Sequence, residues 1–279
     1  MIVHLIDGTY ELFRHFYGLR RGTQGEDVPF GAAAGVLHTV AQMMETGATH
    51  IGVATDHVIE SFRNQMWDGY KTGEGIEPAL WEQFHPLEDA LRAMGVATWA
   101  MVELEADDAL ASAAFLAARD PRVEKVCIWT PDKDLAQSVV DTRVVQMDRR
   151  SGQIRDADGV RTKFGVSPEH IPDYLALVGD SADGYPGIPK CGAKTAARLI
   201  AKYGALENFP ADALAAEQLE LALLFKKLAT LKTDAPLFSN VDELRWRGAT
   251  KEFRTVAEKL GDTRIVPRVT ALEQRLAAL

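Results

Sequence analysis

The residues best equipped for chemistry in this chain are acids that arrive in groups. EADD sets Glu105, Asp107 and Asp108 within four positions, PDKD contributes Asp132 and Asp134, and GDSAD contributes Asp180 and Asp183. Asp7 and Asp56 each close an apolar run. Any one such acid is more readily a helix cap or a turn residue. The set is different, because crowded carboxylates raise one another's pKa and cost free energy unless cations offset them. Oxygen donors with no associated His or Cys suit a hard ion, magnesium or manganese, over zinc. Two such ions would suit phosphoryl chemistry, one activating water and the other stabilising the leaving oxygen.

Those acids need a scaffold that brings them together. MIVHLID, THIGVATD, VATWAMV, VEKVCIWT and TRVVQM read as strands, short and rich in β-branched residues. FGAAAGVLHTVAQMMET and EADDALASAAFLAARD between them read as helices, the second opening on acids that favour a helix N-terminus. Strands alternating with helices predict parallel βαβ units and an open α/β sheet. Ligands of such sheets bind beyond the carboxyl ends of the strands. Asp7, Asp56 and the Asp132–Asp134 pair follow three different strands, and the EADD acids open a helix after a fourth. All are therefore expected at one sheet edge.

From about Ser151 the pattern becomes mainly helical, through VRTKFG, SPEHIPDYLALVGD, GAKTAARLIAKYG and AEQLELALLFKKLATLK. This predicts a first region over 1–159 and a helical region over 160–279, with the tail after Asp234 packing back on the first. Within PGIPKCGAKTAARLI, Gly187 and Gly192 permit a tight turn, and Lys194 with Thr195 opens a helix. Amide groups there can hold a phosphate, aided by the helix dipole.

The formal net charge is −9, at first sight unfavourable for a nucleic-acid partner. Setting aside the nine clustered acids leaves 31 of the 40 Asp and Glu against 31 Lys and Arg, so the remainder is neutral. The deficit is thus assigned to the acid cluster and not to an acidic surface. Two distant cysteines, Cys127 and Cys191, support no disulfide framework, and MIVHLIDGT does not read as a secretory leader. A cytoplasmic protein with no membrane association is expected, acting at the nucleoid.

With these motifs in order, the chain resembles the bacterial and phage 5′-nuclease family, which includes flap endonucleases and the 5′-3′ exonuclease domain of DNA polymerase I. The matching segments are LIDGTYELFR, ATDHVIESFRNQMWDGYK, ELEADDALA, TPDKDLAQ, GDSADGYPGIPKCGAKTAARLI and LKTDAPL. The resemblance implies a PIN-like, mostly parallel sheet flanked by helices, a helical arch over about 61–95, and a helix-three-turn-helix DNA-binding region over about 180–205. It implies a divalent-metal-dependent 5′-3′ exonuclease or flap endonuclease with two Mg2+ or Mn2+ ions, and K+ at the helix-three-turn-helix. Asp7, Asp56, Glu105, Asp107, Asp108, Asp132, Asp134, Asp180 and Asp183 match metal-site positions. Asp7, Asp56 and the EADD acids would serve mainly one ion, Asp134, Asp180 and Asp183 the other, with Asp132 near both. Lys71 and Arg14 would act on the scissile phosphate beside Asp107 and Asp132. Arg63, Tyr70, Gly187, Ile188, Gly192, Lys194 and Thr195 would contact DNA, Tyr70 by stacking. The implied partners are DNA with a 5′ flap, nick or 5′ end, and a separate polymerase and ligase acting in trans on a monomeric nuclease.

Four departures from the family pattern stand out. Glu74 occupies a usual arginine position, and no Lys or Arg lies between Lys71 and Arg92, so the arch is acidic. Gly184 replaces a usual asparagine, and Cys191 a usual hydrophobic residue. The acidic arch keeps open a junction-binding protein with weak catalysis, and the strand-end acids alone would also suit a PIN-type ribonuclease.

Overall fold

The computed structural model describes residues 1–278. β1 (Ile2–Asp7) leads directly into α1 (Gly8–Gly22), followed by α2 (Gly31–Glu45) and β2 (His50–Asp56). A single helical turn, α3 (Pro78–Trp81), and α4 (Phe84–Ala93) precede β3 (Ala97–Met101), α5 (Ala106–Ala118) and β4 (Lys125–Trp129). β5 (Val144–Met147) and β6 (Ile154–Arg155) complete a sheet of order β3-β2-β1-β4-β5-β6, parallel except for the β5–β6 pair. The expected open, mostly parallel sheet is present.

Both faces of the sheet are covered, which explains why its inner strands are apolar throughout. On one face Ile6, Ile51 and Val53 pack with α1, α2 and α4. On the other, Val3, Leu5, Val126 and Ile128 meet the alanine-rich α5. Ala109, Ala113 and Ala117 are fully buried there, and their small side chains let α5 lie close to the strands.

The second region holds α6 (Ala157–Phe164), α7 (Ile171–Val178), α8 (Ala193–Tyr203) and α9 (Ala216–Ala229) around its own core of Val160, Leu175, Ile200 and Phe225. The chain then returns: α10 (Phe253–Lys259) and α11 (Ile265–Ala277) place Phe253, Leu260, Ile265 and Val269 in the same core as α2 and α4. Among the described residues, no helix is long and apolar enough to cross a membrane.

The segment expected as an arch is held against the body. Phe84, Leu87 and Leu91 of α4 are core residues, and Leu80 of α3 is fully buried. The Gln83 side chain accepts from the amides of Ala32 and Ala33 at 3.0 and 3.1 Å. It thereby caps α2, whose N-cap residue Phe30 has no side-chain cap of its own.

Arg63 joins the two regions. It is 1% exposed, donates to both oxygens of Asp108 at 2.7 and 2.8 Å, and reaches the backbone carbonyls of Leu228 and Thr230 at the end of α9. This overturns the expectation that Arg63 contacts DNA: its donors are spent inside the protein. A buried ion pair that loses one partner leaves an uncompensated charge in a poorly solvating interior. Arg63→Ala is therefore expected to lower unfolding free energy by about 3–5 kcal/mol. Urea denaturation checks this, and an Arg63→Ala, Asp108→Ala double variant should lose less than the two single losses added together.

Candidate metal centre

The acids reach the centre because they terminate elements. Asp7 ends β1 and caps α1, accepting from the Tyr10 amide at 2.8 Å while its other oxygen accepts from the Thr130 hydroxyl at 3.0 Å. Asp56 ends β2, and its carboxylate accepts from the Ala106 amide, 2.8 Å away at the start of α5. That position is favourable for an anion at the positive end of the helix dipole. Glu105 is the N-cap of α5, and Asp107 sits in its first turn. After β4 the PDKD turn brings the Asp134 amide to the Asp132 carboxylate at 3.1 Å. A further turn, closed by the Asp180–Tyr185 bridge, presents Asp180 and Asp183.

Two triads result. Ligand oxygens of Asp107, Asp132 and Asp134 lie within 4.8 Å of one another, and so do those of Asp134, Asp180 and Asp183. Asp134 belongs to both and is 5% exposed, with a buried Oδ1 that has no hydrogen-bond partner. A buried anionic oxygen without a donor is costly unless something positive meets it. The donor set is carboxylate only, so the residues present fit hard divalent cations. The grouping differs from the expected one at Asp107, which stands with Asp132 and Asp134 instead of with Asp56.

Electrostatics report the same crowding. Burial, with Asp56 and Asp132 nearby, pushes the Asp7 carboxyl up to about 7. Burial also raises Asp107, with Asp132 and Asp7 adding to it, and raises Asp134, with Asp183 and Asp132 adding. Asp56 and Asp183 move up for the same leading reason. Glu105 goes the other way: burial pushes it up, but Lys71 and Arg63 together hold it below the usual range.

Lysines occupy part of the positive role. Lys71 Nζ lies 2.9 Å from Glu105 and 3.0 Å from Asp183, and these acids outweigh burial to raise its pKa. Lys133 Nζ is 2.8 Å from Asp180. Lys133 was missed in the sequence although it sits inside PDKD, between two acids it could screen. The supporting hydroxyls of Ser61, 2.6 Å from Glu105, and Thr130 were missed too, since nothing in their local sequence points to a site.

Several expected site residues fall elsewhere. Asp108 is fully buried, and both its oxygens are taken by Arg63 and by the amides of Glu105 and Lys232. It braces α5 and offers no ligand atom to either triad. Tyr70 is 3% exposed and donates to Glu105 at 3.3 Å, so its ring is no platform for a base. Ile188 is a core residue. Gly187, at φ +71°, backs onto Gly179 so closely that an added Cβ would stand 2.3 Å from the Gly179 nitrogen. Its requirement for glycine is therefore met inside the protein, not at a ligand. Arg14 is engaged by the buried Glu11 at 3.2 Å and by His15. Gly192 and Lys194 are exposed and Thr195 half-buried at the start of α8.

Two of the sequence departures find physical reasons. Gly184 adopts φ +85°, and a Cβ there would lie 2.0 Å from the Gly69 carbonyl oxygen, so no larger residue fits this approach. Cys191 is buried in the core of the helical region, where a thiol serves as a small apolar group. Glu74 is exposed, and nothing in the structure explains its presence.

Known families match this chain over most of its length. Residues 2–165 match the model of the 5′-3′ exonuclease N-terminal resolvase-like domain, and residues 166–252 that of the 5′-3′ exonuclease C-terminal SAM fold. A 5′-3′ exonuclease of Buchnera aphidicola subsp. Schizaphis graminum is 30% identical over 86% of this chain and 89% of its own length. DNA polymerase I of Pseudomonas aeruginosa is 35% identical over 86% of this chain, but the match covers only 28% of that protein. Against the polymerase relatives, this chain thus spans about three-tenths of their length. Among solved structures, zinc-bound T5 5′-exonuclease superposes with a TM-score of 0.65 at 20% identity, covering 96% of this chain and 99% of that one. The catalytic core of Rad2 in complex with DNA substrate superposes with a TM-score of 0.60 at 14% identity, covering 96% and 90%. Both share the fold, and the sequence matches carry the family: this chain belongs to the 5′-3′ exonucleases.

Proposed function

We propose that the chain hydrolyses DNA phosphodiesters at 5′ flaps, nicks or 5′ ends, as a structure-specific 5′-nuclease using two Mg2+ or Mn2+ ions. The observation that carries this reading is the pair of carboxylate triads sharing Asp134, whose buried Oδ1 has no partner in the protein. Asp107, Asp132 and Asp134 would hold one ion, and Asp134, Asp180 and Asp183 the other. Asp7 acts electrostatically on Asp107, Asp56 on Asp7 and Glu105 on Asp183, and these three would serve the ions through bound water. When bound, the ions supply Lewis acidity and lower the pKa of water.

The protein's own part is to position and to screen. Lys71 already lies between Glu105 and Asp183, so a scissile phosphate beside the triads would meet a fixed ammonium where negative charge builds up. The exposed start of α8, with Gly192, Lys194 and Thr195, offers amide donors and a cation to a duplex phosphate, with K+ as a further bridge at the turn before it. Such contacts set position without reading sequence. The proposed partners are a 5′-ended or flapped duplex, and a separate polymerase and ligase working in trans on a monomeric nuclease.

Cleavage of 5′-labelled flap and nicked duplexes with Mg2+ is the direct test. Wild type should cut both, and Asp134→Asn should fall to the metal-free background. Flap binding in Ca2+ without turnover in Mg2+ or Mn2+ would instead establish a junction-binding protein. Lys71→Ala should lower kcat by about 10²–10³ with substrate affinity much less changed, as expected for a charge that acts on the transition state.

Metal and proton should compete for the same oxygens. Carboxyls whose folded pKa lies above the unfolded value bind protons more tightly when folded, so stability is fully present below the unfolded value and falls as pH rises through the folded one. For Asp7 that window runs from the ordinary 3.8 up to about 7. The Tm of chelator-treated protein should therefore drop between about pH 4 and pH 7, and Mg2+ should raise Tm more at the upper end. Differential scanning fluorimetry measures both, and a Tm indifferent to Mg2+ at pH 8 would refute the metal assignment.

A further inference from the structure

One buried carboxylate in α1 carries two arginines. Glu11 is fully buried, and Arg14 Nε donates to both its oxygens at 3.2 Å. Arg149, from the turn between β5 and β6, brings its own Nε to 3.6 Å from the same carboxylate. His15 stands 2.9 Å from an Arg14 nitrogen and adds no negative charge. Burial first, then Arg14 and Arg149, push its pKa down to about 4, which leaves the imidazole uncharged. Two positive charges therefore meet one negative charge. Asp148, next to Arg149 in sequence, does not correct the balance, because it accepts from the Arg150 amide and the Ser151 hydroxyl within its own turn.

Arg149 is also short of acceptors. Among the described residues its guanidinium hydrogen-bonds the Met43 sulfur alone, at 2.8 Å, and its buried Nε has no hydrogen-bond partner. The Trp129 ring, 4.6 Å away, holds the guanidinium without using its donors. Burial lowers the Arg149 pKa; Glu11 opposes that and Arg14 adds to it. Arg63 is the contrast, sealed inside the protein with its donors spent, whereas Arg14 and Arg149 are 28% and 19% exposed. The cluster lies beside the metal centre. Glu11 is one turn of α1, about 6 Å of rise, from Asp7. Trp129 ends β4, and the next residue, Thr130, donates to Asp7.

We propose that Arg149, together with Arg14, binds a backbone phosphate of the substrate strand next to the scissile one. The phosphate supplies the missing negative charge and takes up unspent donors, as an arginine fork favours. Lys71 remains the cation at the scissile phosphate, and Arg14 is assigned to its neighbour. A contact of this kind fixes the strand's position without reading its bases. It is made in ground and transition state alike, so it acts on KM and leaves kcat nearly unchanged. This rests on the 5′-nuclease reading above and deepens it.

The test uses the full chain with fluorescein-labelled flap and nicked duplexes, read by anisotropy in Ca2+ from about 50 to 300 mM KCl. Arg149→Met keeps an apolar stem against Trp129 and removes the charge. It should weaken binding of both duplexes by about tenfold and reduce the slope of log affinity against log salt by about 0.7–0.9, one phosphate's share. Arg149→Gln should show the same loss, which keeps the test decisive if either variant folds poorly. Arg149→Lys retains the charge and should retain the wild-type slope. In Mg2+, Arg149→Met should raise KM while kcat stays within about threefold of wild type. An unchanged salt slope in Arg149→Met and Arg149→Gln, with wild type binding and cutting normally, would mark Arg149 as a brace for its turn and overturn this proposal alone. Wild type that neither binds nor cuts these duplexes would overturn the nuclease reading and this proposal with it.

Discussion

Mutual repulsion among buried carboxylates is the constraint on which this structure turns. Two triads share one aspartate, and Asp7, Asp56 and Glu105 stand around them, with most of these acids shielded from water. Such a cluster survives folding only because positive groups reach it from many directions. Lys71 comes from the segment after β2, Lys133 from within the PDKD turn, and the α5 N-terminus adds its dipole behind Asp56. Even so, Asp134 keeps an unpartnered oxygen and Asp107, Asp134 and Asp183 hold their protons too tightly. Local instability of this kind is common where function requires charge, and the rest of the fold has to outweigh it.

The counterweight is mostly apolar, and it explains the separation of roles along the chain. Three cores surround the centre, one on each sheet face and one in the helical region. Arg63 is the exception. Its buried pair with Asp108 lies in the same first turn of α5 as Asp107 and binds α5 to the end of α9. A mobile junction at that point would let the triad contributed from the first region drift relative to Asp180 and Asp183 in the second.

Much of this was legible in the sequence, for a physical reason. Strands buried on both faces read as apolar runs, and in a parallel sheet their ends converge, so the acids that follow them are placed at one edge by the sequence pattern alone. What was not legible is direction. Asp107 and Asp108 are adjacent on a helix, and a shift of one residue turns a side chain by roughly 100°. That rotation sends Asp107 to the metal centre and Asp108 to Arg63. Tyr70 and Arg63 likewise look like nucleic-acid contacts by residue type, and only packing shows them spent on Glu105 and Asp108. The arch was implied only by the family resemblance, whereas the cap that Gln83 gives α2 and the Arg20–Glu77 pair depend on partners fifty or more residues away.

The return of the chain through α10 and α11 has a consequence for biosynthesis. Phe253, Leu260, Ile265 and Val269 fill the core beneath α2 and α4, elements made some two hundred residues earlier. Until those last helices have left the ribosome, the apolar faces of α2 and α4 lack their cover. The first region therefore cannot finish its core as it emerges, and the carboxylate centre it supports cannot settle early on a nascent chain. Order of synthesis thus delays the completion of the carboxylate centre until α10 and α11 have been made.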